Sequence, residues 1–145
     1  MRRFGEAIKS GQAYADRPGA YAIIADGAWL LLARTTVRDQ TLLLPGGGID
    51  KGEHPLAGLH REVIEETGWR VARPRRLGAY QRYVFMPEYG WWAHKICAVY
   101  LCHPVRQLAP PTEPDHFPVW MRATDAAERL SVGAERHFVR RQFRI

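Results

Sequence analysis

The stretch Leu44–Trp69, LPGGGIDKGEHPLAGLHREVIEETGW, constrains what this chain can fold into more than any other. Pro55 suits the first position of a helix, where a missing N–H leaves no bond unmade. Gly68 suits the end of the same helix. At roughly 100° per residue, Leu56, Leu59, Val63 and Thr67 form one stripe that can pack on a sheet. Glu62, Glu65 and Glu66 form another, because residues three and four apart are neighbours on a helix surface.

Folding alone gives no reason for the second stripe. Like charges at this spacing cost an isolated helix a few tenths of a kcal/mol per pair, roughly. They also sit near the helix C-terminus, the unfavourable end for negative charge. The plainer reading is a solvated acidic face. The neighbours argue for more. Glu53 lies just ahead of the helix, Arg61 precedes the first glutamate, and a glycine loop brings bare backbone close to the acids. Carboxylates and carbonyl oxygens are hard ligands suited to Mg²⁺ or Mn²⁺. Mg²⁺ commonly bridges a few carboxylates to substrate phosphates. The acidic stripe is therefore expected to gather a divalent cation, and through it phosphate.

The rest of the chain supports a single compact unit over residues 1–145. A hydrophobic fraction of 46% and five tryptophans exclude a disordered chain. No apolar run reaches the roughly 20 residues of a membrane helix, and no secretory leader is read at the N-terminus. Cys97 and Cys102 fall on one predicted strand with odd spacing, so they should face opposite sides as buried thiols. A cytoplasmic setting follows as an expectation. The net charge of +6 suits a phosphate-bearing partner, and equally a plain soluble surface.

Two apolar runs around Asp26-Gly27 predict a hairpin. "TLLLPGGG" predicts a short strand stopped by Pro45 and the glycines. "RRLGAYQRYVF" and "WWAHKICAVYLCHP" predict two strands joined by a turn at "MPEYG". "RQLAPPTEPDHFP" reads as loop or extended edge. "VWM" reads as a short strand, and "TDAAERL" and "GAERHFVRRQF" as helices, with Thr124 as N-cap of the first. The alternation predicts an α/β domain.

Gly47, Glu53, Arg61, Glu62, Val63, Glu65, Glu66, Gly68 and Trp69 match every fixed position of the pattern G-x5-E-x7-R-E-U-x-E-E-x-G-U, where U is bulky and apolar. This segment, 47–69, resembles the box of the Nudix hydrolase superfamily, and the hairpin and late strand–helix around it resemble the MutT-like members. The resemblance implies an α/β/α sandwich with a mixed sheet and a loop–helix–loop box. It implies Mg²⁺- or Mn²⁺-dependent hydrolysis of a nucleoside diphosphate linked to another group. By position, Glu62, Glu65 and Glu66 look like metal ligands, with the carbonyl of Gly46 as a further one. Arg61 would hold a glutamate of the cluster. Glu53 would hold metal-bound water or brace the loop, and Glu62 or Glu65 would take the proton. A nucleotide-sensing module on the same fold is the alternative reading, and an isomerase a remoter one. The implied partner is a small-molecule nucleotide, a nucleoside triphosphate or dinucleoside polyphosphate. No membrane or nucleic-acid partner is expected, and the oligomeric state is left open, a homodimer included.

Outside the box the signals are weaker. Glu88, Glu113 and Asp115 are candidates for an additional ligand, although each also reads as an ordinary loop carboxylate. Tyr83, Phe85, Trp91 and Trp92 could stack a base or simply pack on a sheet. Arg34, Arg38, Arg75, Arg76 and Arg82 could meet phosphates or lie on the surface. His94 and Lys95 must face opposite ways on their strand.

Overall fold

The computed structural model describes residues 1–36 and 41–145. The strands in chain order are β1 (Arg2–Gly5), β2 (Ala15–Asp26), β3 (Trp29–Thr35), β4 (Thr41–Leu43), β5 (Gly46–Gly48), β6 (Trp69–Met86), β7 (Trp91–Gln107) and β8 (His116–Arg122). The helices are α1 (Pro55–Thr67), α2 (Ala123–Arg129) and α3 (Gly133–Phe143). One mixed sheet runs β1-β6-β7-β2-β3-β4, with β5 on β2 and β8 on β3. β2 pairs β7 in parallel and β3 antiparallel, which gives the sheet its mixed character.

Both sheet faces are covered, so there are two cores. Ala20, Ala22, Ile24, Leu31, Leu59, Val63, Val71 and Cys102 pack under α1. Ile23, Leu32, Tyr80, Cys97, Val99, Ala126, Leu130, Phe138 and others pack under α2 and α3. This is the expected α/β/α sandwich. The period of two along β2 explains it, since Ala20, Ala22 and Ile24 go to one face and Tyr21 and Ile23 to the other. Cys97 and Cys102 are free thiols and lie in opposite cores, as their spacing required. The hairpin turns at Gly27 (φ 58°), with Asp26 opposite Trp29. Among the described residues no helix is long and apolar enough to cross a membrane.

Several details depart from expectation. Arg2–Gly5 adds a strand parallel to β6, with Arg2 opposite Tyr80; its composition gave no alternation to read. β6 begins at Trp69, well before the predicted run, and irregularities around Arg70–Gly78 accommodate Pro74 and Arg73 (φ 54°). β8 takes in His116 and Phe117, so of the two readings of the proline-rich stretch, loop or extended edge, its last part is extended edge. The residue before α2 is Arg122, with no side-chain cap. Thr124 lies inside the first turn instead, because Ala123 already belongs to the helix. The glycines 46–48 do not merely end a strand: they form β5, paired antiparallel to Gly19–Tyr21. Arg38 lies outside the described residues.

Candidate active site

The site assembles where α1 meets β5. His54 precedes the helix and its Nδ1 accepts the Leu56 N–H at 3.1 Å, satisfying one of the unpaired donors of the first turn. Leu59 and Val63 anchor the helix to the sheet, each fully buried and each contributing about 1.5–3 kcal/mol of apolar transfer. Gly68 closes it in the left-handed conformation (φ 76°), its N–H on Ile64 O at 2.8 Å. A Cβ there would also fall 1.7 Å from the Ala109 carbonyl oxygen, so the loop after β7 can approach only because this residue is glycine.

That loop hangs on the helix end. Glu65 O accepts the N–H groups of Thr112 and Glu113 at 2.9 and 2.8 Å, and Gly68 O accepts that of Leu108 at 2.8 Å. Carbonyls that a helix terminus leaves unpaired thus fix the approach of Glu113 and His116.

β5 offers its outer edge to α1. Ala22 N–H bonds Pro45 O at 2.8 Å and Ile49 N–H bonds Pro18 O at 3.0 Å. Antiparallel alternation then turns Gly46 and Gly48 away from β2. Accordingly Gly46 N–H donates to Glu66 Oε1 at 2.8 Å, and Gly48 O accepts from Arg61 Nη2 at 3.3 Å. Gly46 (φ 147°) could not carry a side chain, since a Cβ would meet Ala20 O at 2.2 Å. At Gly47 a Cβ would lie 2.7 Å from the Glu62 carboxyl carbon. The flat ribbon is what lets the carboxylates lie against backbone.

Arg61 organises the acids. Its Nε and Nη2 donate to Glu53 Oε2 and Oε1 at 2.8 and 3.0 Å, a bidentate pair. Nη1 reaches Glu62 Oε1 at 3.1 Å and Glu65 Oε2 at 3.3 Å. Glu53 Oε1 also accepts the Asp50 N–H at 3.0 Å, so Glu53 braces the loop between β5 and α1. Arg61 holds the Glu53 carboxyl down to about 2. Burial, reinforced by the charge of Glu66, pushes Glu62 up to about 7. Burial also raises Glu66, against the pull of His116.

His116 is a partner that the sequence did not announce. Its Nε2 is 3.3 Å from Glu66 Oε2, and its Nδ1 faces Pro114 O at 2.9 Å. Both ring nitrogens face acceptors, so both carry protons, and the hydrogen bond to Glu66 lifts His116 to about 9. The only available signal was its place three residues before the strand read as "VWM", inside a proline-rich run. Glu113 lies close enough for its charge to act on Glu66 and His116. Asp115 (φ 60°) turns the chain, its carbonyl accepting the Thr36 N–H at 3.1 Å. Glu88 is exposed in the β6–β7 turn.

The structure thus brings Glu53, Arg61, Glu62, Glu65, Glu66 and Gly46 together. Among the described residues no three acidic, histidine or cysteine side chains form a preassembled metal cage. The donor set still fits a hard divalent cation. Mg²⁺ characteristically uses one or two carboxylates and fills its remaining positions with water and substrate phosphate. The aromatic candidates largely pack on one another. Tyr83 stacks on His94 at 4.4 Å between ring centroids, Phe85 meets Trp92 at 5.3 Å, and Trp91 meets Tyr89 at 5.7 Å. His94 is satisfied by Asp16 and Gln81, at 3.1 and 2.8 Å.

The structure sets an acidic helix against a glycine ribbon on one face of a three-layer α/β/α sandwich. Residues 15–142 match the NUDIX domain, and the chain belongs to that family. Its fold is that of solved MutT-type Nudix hydrolases. The MutT NUDIX hydrolase from Burkholderia pseudomallei superposes with a TM-score of 0.68 at 25% identity, covering 86% of this chain and 96% of that one. The MutT protein from Methanosarcina mazei Go1 gives 0.69 at 24% identity, covering 90% and 95%. A Bacillus subtilis (strain 168) protein, provisionally named an 8-oxo-dGTP diphosphatase, is 44% identical over 45 residues. That match spans 31% of this chain and 30% of the relative. The chain is therefore a NUDIX-domain protein with the fold of solved MutT hydrolases, and Nudix hydrolases generally use divalent metal ions.

Proposed function

We propose that this protein is a Mg²⁺- or Mn²⁺-dependent pyrophosphohydrolase that cleaves a small nucleoside diphosphate derivative within its phosphate chain. Nucleoside triphosphates and dinucleoside polyphosphates are the substrate classes favoured. The observation that carries the reading is the gathering of Glu62, Glu65 and Glu66 beside one arginine, with Glu66 on Gly46 N–H and Glu62 against Gly47, while that arginine makes its bidentate pair with Glu53. Burial raises the pKa of two of those carboxyls, so their ionised forms lack compensating charge and solvent. A divalent cation relieves that imbalance.

In this reading Glu62, Glu65 and Glu66, with the carbonyl of Gly46, hold the metal. The bound ion supplies charge neutralisation at the phosphates and acidity to water. Glu62 or Glu65 accepts the proton of the attacking water. Glu66 is fixed by Gly46 N–H and His116 and cannot swing. Arg61 and Glu53 are positioning residues that set the distance between loop and helix. Residues 1–145 work as one domain in the cytoplasm, where the buried thiols stay reduced.

The partial match to a protein named for 8-oxo-dGTP makes oxidised guanine triphosphate a first substrate to try. The test is a panel of oxidised and normal nucleoside triphosphates, dinucleoside polyphosphates, ADP-ribose and nucleotide sugars, each with Mg²⁺ or Mn²⁺. Turnover of a triphosphate or dinucleotide supports the reading. Turnover of ADP-ribose or a nucleotide sugar alone would contradict the substrate class.

A further inference from the structure

Three cations lie in register on the sheet face opposite α1. Lys95 on β7 is directly opposite Arg82 on β6 and alongside Arg17 on β2. The adjacent row, Tyr80, Cys97 and Gly19, belongs to the face under α3, where Tyr80 and Cys97 are core residues. Side chains two apart share a face, so the three cations share that face too. Lys95 Nζ donates to Tyr21 OH at 3.4 Å, and Tyr21 packs on the same core. All three cations are partly buried. Among the described residues none has a carboxylate within ion-pair distance.

Such a row is unfavourable for folding. Like charges directly opposite one another destabilise a sheet, and partial burial strengthens the repulsion. Burial lowers the Lys95 pKa and Arg82 lowers it further, against the opposing pull of Cys97, Glu135 and Glu88. Glu135 and Glu88 act on the row only from beyond ion-pair distance, and a row that costs stability without a direct carboxylate partner points to an anion from outside.

Its place says which anion. A Cβ on Gly48 would fall 2.6 Å from Arg17 Nη2, whereas one on Gly47 would fall against Glu62. The glycine ribbon therefore has the acidic cluster on one face and the first cation of the row on the other. From Arg17 the row continues across two interstrand spacings, about 10 Å. We infer that Arg17, Lys95 and Arg82 form a second phosphate subsite of the same active site, binding substrate phosphates beyond the cleaved bond and favouring chains of four or more phosphates over three. The inference rests on the hydrolase reading above. The subsite's anion affinity, however, belongs to these residues alone.

Two measurements test it on the full-length protein. The first is calorimetric titration with inorganic tetrapolyphosphate in the presence of EDTA, so that metal plays no part. Wild type binds, and the Lys95→Met/Arg82→Met double variant binds at least about tenfold more weakly. A control variant, Arg75→Met/Arg76→Met, alters charge elsewhere and leaves the affinity near wild type. The double variant also melts no lower than wild type, because repulsion has been removed. The second is the ratio of kcat/KM for diadenosine tetraphosphate to that for dGTP, which falls about tenfold or more in the double variant. Equal losses in the two double variants, or an unchanged ratio with unchanged polyphosphate affinity, would overturn the subsite. Row-dependent polyphosphate binding without turnover of any substrate would sink the hydrolase reading and leave the subsite standing.

Discussion

Glu66 on α1 and Glu135 on α3 hold the same short segment from opposite sides of the sheet. Glu66 Oε1 accepts Gly46 N–H at 2.8 Å, and Glu135 Oε1 accepts Leu44 N–H at 2.7 Å. Both side chains are buried. Their surroundings differ. Glu66 shares its helix face with Glu62 and leans on His116, while Glu135 forms no ion pair among the described residues and is lifted by burial to about 8. One carboxyl sits among charges and is placed to meet a cation. The other feels Arg82 and Lys95 only at a distance, and burial, against their pull, favours its protonated form at neutral pH. Burial of an acid, then, does not mark a functional group by itself; the company of other acids does.

That contrast can be broken by mutation. Glu66→Gln keeps an acceptor for Gly46 N–H but removes the charge. It is expected to lower the rate by roughly two orders of magnitude or more with the fold intact. Steady-state kinetics at limiting Mg²⁺, with circular dichroism as the check on folding, decide it. Full activity would remove Glu66 from the metal site. Arg61→Lys keeps the charge but loses the fork that grips Glu53, so kcat is expected to fall about tenfold or more. Wild-type kinetics in that variant would show that the bidentate grip is dispensable.

Glu62 sharpens the comparison through pH. A metal ligand must shed its proton, and Glu62 does so at about 7. Apparent Mn²⁺ affinity, read by electron paramagnetic resonance, should weaken by up to about tenfold per unit as pH falls below 7. A flat profile between pH 6 and pH 8 would contradict a protonatable Glu62 in the site.

Glu135 should behave oppositely, in stability rather than in catalysis. Its folded pKa is raised from 4.5 to about 8, so its stabilising effect is complete below 4.5 and is lost as pH rises through 8. Glu135→Gln should remove that loss and flatten the melting profile across this window. Glu135→Ala leaves Leu44 N–H unpaired and should cost about 1–3 kcal/mol in denaturant unfolding. A large catalytic defect in Glu135→Gln with wild-type stability would mean that the two glutamates are not the contrasting pair described.

Much of this was legible in the chain. Pro55, Gly68 and the two stripes of α1 define the helix through local rules, and the spacing of the box residues placed the acids on one face. The pairing of the glycines into β5 was not legible, because a glycine triplet carries no alternation and its partner strand lies far back in sequence. His116 was hidden for a related reason. Its contact with Glu66 depends on the loop after β7 hanging from Glu65 O and Gly68 O, and no sequence rule relates those carbonyls to that loop. The cation row appears only once β6, β7 and β2 are set in register.

The central claim is metal-dependent cleavage within a phosphate chain by the carboxylates on α1. It is tested most directly by product analysis in ¹⁸O-labelled water with Mg²⁺, run with wild type and Glu66→Gln. The account predicts a nucleoside monophosphate plus pyrophosphate or a nucleoside polyphosphate. One product should carry the label, with no reaction under chelation and almost none in the variant. Tight nucleotide binding without label incorporation, under either metal and on every phosphoanhydride tried, would contradict it and indicate a sensing module on the same fold.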